Sequence, residues 1–312
     1  MRTLLVSGGC GFIGSHLVRA LVAAGDRVRV LDDLSTGRLD HLPPDVDFRR
    51  GSVDDPLAVA AAMDGVEGCF HLAAVPSVER ARLEWLSTHR INLSGTICVM
   101  AEAAMRGIPV AYASSAAVYG QPRELPLTEA APTRPISAYG IDKLACELHA
   151  AAAGPGHGLR SVGLRFFNVY GSRQDPASPY SGVITLFCDA LIRGRRLTIH
   201  GEGTQTRDFV PVSYVVQALR RGLDIASVEA PVFNVCSGIS TSMIDLVTAL
   251  GSVLGVKVAT ERAPSRIGDI SHSVGSTAKL RAALGLGLPS PLADGLRPIV
   301  AWMEEGSQSL GQ

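Results

Sequence analysis

Tyr139 and Lys143 stand four residues apart in a chain that holds only three lysines and six tyrosines in 312 residues, so their pairing is a poor candidate for coincidence. The spacing of Leu144, Ala145, Leu148 and Ala152 predicts a helix from Ser137 to about Ala153, which puts the phenol and the ammonium on one face. A free phenol, with a pKa of about 10, is a poor base at neutral pH. A cation held beside it favours the phenolate, and reaching neutrality asks about 4 kcal/mol of the site. Ser115, in Ser114-Ser115-Ala-Ala-Val-Tyr-Gly120, would add a hydrogen bond to the same substrate oxygen. The group predicts proton removal from a hydroxyl beside a hydride acceptor.

Such a site needs a sheet edge and a cofactor cradle, and the first half of the chain predicts both. Leu4 to Val6 is a short apolar strand, followed by Gly8-Gly-Cys-Gly11-Phe12-Ile13-Gly14 and a helix through Leu17, Leu21 and Val22. Glycines at 8, 11 and 14 allow a tight turn and let backbone amides approach a pyrophosphate at the helix start. The next strand, Val28 to Leu31, ends in Asp32, whose carboxylate suits both adenosine ribose hydroxyls and repels a 2′-phosphate, so the expected cofactor is NAD. Ser35, Thr36 and Gly37 follow in the loop. Further strands are expected at Val46–Phe48, Gly68–Leu72 and Pro109–Ala113, with helices at Pro56–Met63 and from about Arg82 to Met105, the latter interrupted at Asn92 and Gly95. Asp54 is read as an adenine contact, as the helix cap, or as both. Leu72, Ala73 and Ala74 let the backbone pass close to the cofactor.

Strand and helix alternate to this point, which predicts a Rossmann-type doubly wound parallel sheet. The boundaries expected are 1–167 for the NAD-binding domain, with the sheet completed by segments around 205–240, and 168–312 for a smaller, interleaved α/β portion that holds substrate. There the sequence predicts helices through Leu186 and Leu191 and from Ser242 to Leu254, and strands at Leu197–Ile199, Val232–Val235 and Val256–Thr260.

Lys+Arg and Asp+Glu both total 29, so no net field draws in nucleic acid or a membrane surface. The chain enters a strand at Thr3, which leaves no room for a signal peptide, and no apolar run is long enough to span a bilayer. Six cysteines without a C-x-x-C pair read as small buried residues in a reducing cytoplasm, and neither they nor the eight histidines show metal-ligand spacing.

With the glycine loop, Asp32, Ser114-Ser115-x-x-Val-Tyr-Gly120 and Tyr139-x-x-x-Lys143 in this order, the chain resembles the extended short-chain dehydrogenase/reductases, and within them the UDP-hexose 4-epimerases, from Thr3 to about Gly285. The resemblance implies that Tyr139 removes the 4-hydroxyl proton of a UDP-sugar while its C4 hydride passes to NAD. The 4-keto sugar turns over and takes the hydride back on its other face, so NAD stays tightly bound and is recycled. Ser115, Tyr139 and Lys143 are implied as the catalytic set. Asp33, Val53, Asn92 and Ser114 join the cofactor contacts, and Ser77, Arg80, Asn168, Arg173, Val183, His200, Arg207, Arg266, Asp269 and Ser273 the substrate contacts. The resemblance also implies a homodimer through helices around Asn92–Met105 and Ala138–Ala153.

Departures from family patterns sharpen the expectation. Ala116 and Ala117 replace the Asp-Glu pair of the nucleotide-sugar dehydratases, which removes the acid and base for water loss, and they argue equally against sugar-acid decarboxylases. Pro76 replaces a lysine of glucose-specific epimerases, Asp142 replaces the usual serine, and Ser273 is small where a bulky tyrosine is associated with UDP-glucose. UDP-glucose, UDP-N-acetylglucosamine and UDP-glucuronate stay open, as do two roles for Arg173: meeting a C6 carboxylate, or closing a loop over the phosphates. The competing readings are a 4-keto-sugar reductase, against which Asp32 speaks because such enzymes favour NADPH, and a non-catalytic NAD-binding protein, which would not need the catalytic set.

Overall fold

Leu4, Leu5 and Val6 are fully buried, a run with no exposed face that suits only a strand covered on both sides. That strand, β1 (Thr3–Ser7), lies inside a seven-stranded, all-parallel sheet of a computed structural model that describes residues 1–177, 181–264 and 270–309. The chain continues through α1 (Phe12–Ala23), β2 (Arg27–Asp32), β3 (Asp47–Arg50), α2 (Pro56–Met63), β4 (Gly68–His71), α3 (Val78–Leu83), α4 (Trp85–His89), α5 (Thr96–Arg106), β5 (Val110–Ser115), α6 (Ala138–His157) and β6 (Ser161–Phe166). The second part runs β7 (Asn168–Tyr170), α7 (Val183–Ile192), β8 (Leu197–His200), β9 (Thr206–Arg207), β10 (Phe209–Pro211), α8 (Val212–Asp224), β11 (Val232–Val235), β12 (Thr241–Ser242), α9 (Met243–Leu254), β13 (Thr260–Ala263), α10 (Ala278–Leu284) and α11 (Leu292–Ser309).

The strand order is β11-β6-β5-β4-β1-β2-β3, with Val6 facing Val30 on one side and Phe70 on the other. The order reverses at β1, and the crevice at such a switch point is where doubly wound sheets take ligands. One face is covered by α1 and α8, through Leu17, Leu21, Val215 and Leu219; the other by α2, α5 and α6, through Val59, Met100, Cys146 and Ala150. A separate core in the second part joins α7, α9 and α11 through Phe187, Leu246, Leu250 and Ile299. β11 reaches back from that part to close the sheet beside β6.

Four local expectations are corrected. The third strand is Asp47–Arg50 rather than 46–48, and the last is Thr260–Ala263 rather than 256–260, because pairing with β8 (Thr260 opposite Leu197) sets its place. The cap of α2 is Asp55, which accepts from the Leu57 amide at 2.9 Å, not Asp54; Pro56 fixes the first helical position and the cap must precede it. Asn92 and Gly95 do not interrupt their helix. Arg90–Gly95 is wound more widely, as a π turn that carries α4 into α5.

Candidate active site

β5 and α6 bring the proposed chemistry together. Ser137 caps α6, accepting from the Gly140 amide at 3.1 Å, so the first turn of a 20-residue helix presents Tyr139, and Lys143 follows one turn later. Lys143 is 3% exposed; its Nζ donates to the Ala113 carbonyl of β5 at 2.9 Å and lies 6.0 Å from the Tyr139 ring centre. Ser115 ends β5, and its Oγ accepts from the Ala117 amide at 3.1 Å, which leaves the hydroxyl proton to donate.

Ser114 has another employment. Its Oγ donates to Glu147, one turn beyond Lys143, and Glu147 forms a two-pronged ion pair with Arg165 of β6 at 2.9 and 2.6 Å. Arg165 also donates to the Tyr119 hydroxyl at 2.7 Å, and that hydroxyl donates to Asn234 of β11 at 2.7 Å. Both members of the ion pair are buried, and the Glu147 carboxylate raises the Arg165 guanidinium above its ordinary range against the effect of burial. This network crosslinks β5, α6, β6 and β11 directly behind the reactive side chains.

A cleft of about 1310 Å³ runs from the glycine loop past these residues into the second part. Of the cofactor residues expected from sequence, Gly8, Gly11, Phe12, Ile13, Gly14, Asp32, Asp33, Ser35, Thr36, Gly37, Val53, Leu72, Ala73, Ala74, Ser114, Tyr139 and Lys143 line it. A dinucleotide fits what is there. Gly8 has φ +72°, and a side chain on it would meet the Ala73 amide at 2.6 Å, while one on Gly14 would run into the Gly8 carbonyl. The start of α1 has no side-chain cap, so its first amides are free for phosphate oxygens. Asp32 accepts from the Cys10 and Leu34 amides, both at 2.9 Å; burial pushes its carboxyl up and the two amides oppose that.

Two expected cofactor residues stand elsewhere. Asp54 does not line the cleft and accepts from the Ser52 hydroxyl at 2.5 Å. Asn92 is fully buried and clamps Val75 through both ends of its amide, at 2.7 and 3.3 Å, so it shapes the loop after β4 from behind. Behind that loop His71 bonds Ser7 at 2.7 Å and Thr96 at 2.9 Å, and burial, with Lys143 nearby, pushes its pKa down to about 3.

On the substrate side Ser77, Arg80, Asn168 and Arg173 line the cleft together with Ser115 and Tyr139. Val183, His200, Arg207 and Ser273 do not. Val183 opens α7, and His200 bonds the Pro264 carbonyl at 3.0 Å. The Ser273 amide donates to the Thr206 carbonyl at 3.2 Å, and Arg207 Nη1 donates to the same carbonyl at 2.9 Å and to the Ile270 carbonyl at 2.6 Å. Arg266 and Asp269 lie outside the described residues. Sequence reasoning missed Arg19, Arg38 and His41 at the adenosine end, and Gln174, Asp175 and Trp302 across from them. Arg19 and Arg38 belong to no motif in the sequence, and Trp302 comes from a helix with no local link to the site. Among the described residues no cluster of His, Cys, Asp or Glu is placed to hold a metal, and no helix is long and apolar enough to cross a membrane.

The doubly wound sheet, the glycine loop at its switch point and the Tyr-Lys pair at its carboxyl edge define an extended short-chain dehydrogenase/reductase. The profile of the NAD dependent epimerase/dehydratase family matches residues 4–236, and the chain belongs to that family. It is 36% identical to the UDP-glucose 4-epimerase of Mycolicibacterium smegmatis over 99% of this chain and all of that protein. Among solved structures it is similar to the UDP-N-acetylglucosamine 4-epimerase of Methanobrevibacter ruminantium M1 in complex with UDP-N-acetylmuramic acid, with a TM-score of 0.93 and 31% identity over 98% of this chain and 99% of that one. MoeE5 in complex with UDP-glucuronic acid and NAD gives a TM-score of 0.87 and 31% identity over 97% and 99%.

Proposed function

We propose that the protein is a UDP-sugar 4-epimerase that keeps NAD bound through each turnover. The observation that carries this reading is the meeting of Tyr139, Lys143 and Ser115 on the wall of the cleft that begins at the glycine loop. NAD, when bound, supplies a reversible hydride acceptor. Ser115 donates to the sugar O4, and the Tyr139 oxygen takes the O4 proton and later returns it. Lys143, pinned to Ala113, holds its ammonium where it attracts the charge that develops on the phenol oxygen. Ala116 and Ala117 supply no acid or base for elimination, so removal and return of hydride at one carbon is the chemistry this set favours. A homodimer is part of the proposal. Leu86, Met105, Ile141 and Leu148 on α4, α5 and α6 are exposed, Met105 at 76% and Leu148 at 63%, an apolar surface that a second copy would cover.

The test is a proton NMR time course of the purified protein, without added cofactor, on UDP-glucose, UDP-N-acetylglucosamine and UDP-glucuronate together. New anomeric signals from one galacto-configured product are expected. Tyr139→Phe should slow their appearance by a factor of roughly 10² to 10⁴ while bound NAD remains. No conversion even with NAD supplied would overturn the reading and turn attention to 4-keto sugars with a reduced cofactor.

A further inference from the structure

The loop that leaves β7 runs along the cleft wall opposite the adenosine end, and Arg173 in it has a conformation that needs a reason. Its φ is +66°, the left-handed region that L side chains avoid. The loop is held there from one side, since the Ser172 carbonyl accepts from His16 Nε2 of α1 at 3.0 Å. The guanidinium itself turns to the first turn of α1, where Nη1 donates to the Ser15 hydroxyl at 3.3 Å. It is half-buried, and among the described residues no carboxylate pairs with it. Burial and the neighbouring Arg19 both make its charge less favourable. A strained backbone thus holds a partly desolvated cation, without a counter-charge, beside the uncapped amides of a helix start.

That arrangement concentrates positive potential on the part of the cleft where the glycine loop opens, and an anion must complement it. We propose that Arg173 contacts the diphosphate of the dinucleotide from the side opposite the glycine loop, which makes Gly171–Pro176 a strap that retains the cofactor. Gln174, Asp175 and Pro176 continue along the cleft, and Asp175 lies within electrostatic reach of Arg38 on the facing wall. The inference rests on the NAD-dependent reading of the cleft and adds to it what keeps the cofactor in place.

The experiment compares wild type, Arg173→Gln, Arg173→Lys and Arg173→Gly for NAD affinity by fluorescence titration, and for UDP-glucose and UDP-glucuronate affinity at saturating NAD by calorimetry. Arg173→Gln should bind NAD roughly 10- to 100-fold more weakly, the size of a lost charge-assisted contact, with lysine restoring part of it. Both UDP-sugars should bind within about twofold of wild type, a change too small to reflect a lost contact. Arg173→Gly suits the backbone, so with both proteins stripped of NAD it should melt no lower than wild type and still bind NAD weakly, which separates cofactor contact from folding. Unchanged NAD affinity, or a loss confined to UDP-glucuronate, would overturn the proposal while leaving the epimerase reading standing. A wild type that binds no NAD would remove both.

Discussion

Glu147→Gln changes one buried oxygen to an amide and should be among the most costly single substitutions in the chain. In the wild type the Glu147 carboxylate takes two donors from Arg165 and one from Ser114, and both ion-pair side chains are at most 7% exposed. Glutamine keeps the volume and one acceptor but turns an NH₂ toward Arg165, leaving a buried guanidinium short of its counter-charge. Breaking a buried pair in this way costs about 3–5 kcal/mol, and the remaining acceptor argues for the lower end. For a chain of 312 residues the unfolding entropy is about 0.65 kcal/mol/K, so a loss of about 3 kcal/mol lowers the melting temperature by roughly 4–5 °C. The assay is thermal unfolding followed by the fluorescence of Trp85 and Trp302, at one fixed NAD concentration because bound ligand shifts the midpoint. Glu147→Leu with Arg165→Met removes both charges and leaves the Ser114 and Tyr119 hydroxyls and the Glu129 carbonyl with fewer partners, neutral groups that cost about 1 kcal/mol each at most, so the double variant should melt no lower than Glu147→Gln. A Glu147→Gln protein melting within about 2 °C of wild type, or a double variant in which the single losses simply add, would refute this account of the network.

Two further outcomes can be checked directly. Asp32→Ala should weaken NAD by roughly 10- to 100-fold and relax discrimination against NADP, read by titration with each dinucleotide; an unchanged preference would take Asp32 away from the ribose. His71 is neutral in the folded protein to about pH 3, whereas in the unfolded chain it takes up a proton below about pH 6.5. Its contribution to stability is therefore intact above pH 6.5 and falls by about 1.4 kcal/mol per unit as the pH drops from there toward 3. Urea midpoints at pH 7.5 and 5.5 should show this slope, and His71→Gln should flatten it by that amount; an equal slope in the variant would mean that other groups carry the acid sensitivity.

Features that follow from short-range rules were legible in the sequence. A four-residue spacing puts Tyr139 and Lys143 on one helix face, and a glycine loop between an apolar strand and a helix announces a switch-point crevice. What escaped depends on partners far along the chain. Thr260–Ala263 becomes a strand because β8, some sixty residues earlier, sets its register, while the more apolar Val256–Ala259 stays outside the sheet. Asn92 looked like a helix breaker, and only the Val75 backbone opposite it explains a buried amide there. Arg165 did carry a signal: a charge inside the apolar run Val162–Phe166 must meet a buried partner, and Glu147 lies one turn beyond the lysine. The choice between Asp54 and Asp55 as cap was also readable, from Pro56.

The position of β11 bears on how the chain is made. All six residues of β6 are buried, and they sit between β5 and a strand that lies more than sixty residues further on. A chain emerging from the ribosome therefore completes six strands with the β6 edge unpaired, and Asn234, which receives the Tyr119 hydroxyl, has yet to be synthesised. At about 5–20 residues per second, that edge waits several seconds for its neighbour. A fragment ending near residue 167 would keep the edge permanently and should aggregate through it, whereas one ending just beyond Val235 would carry its own cover.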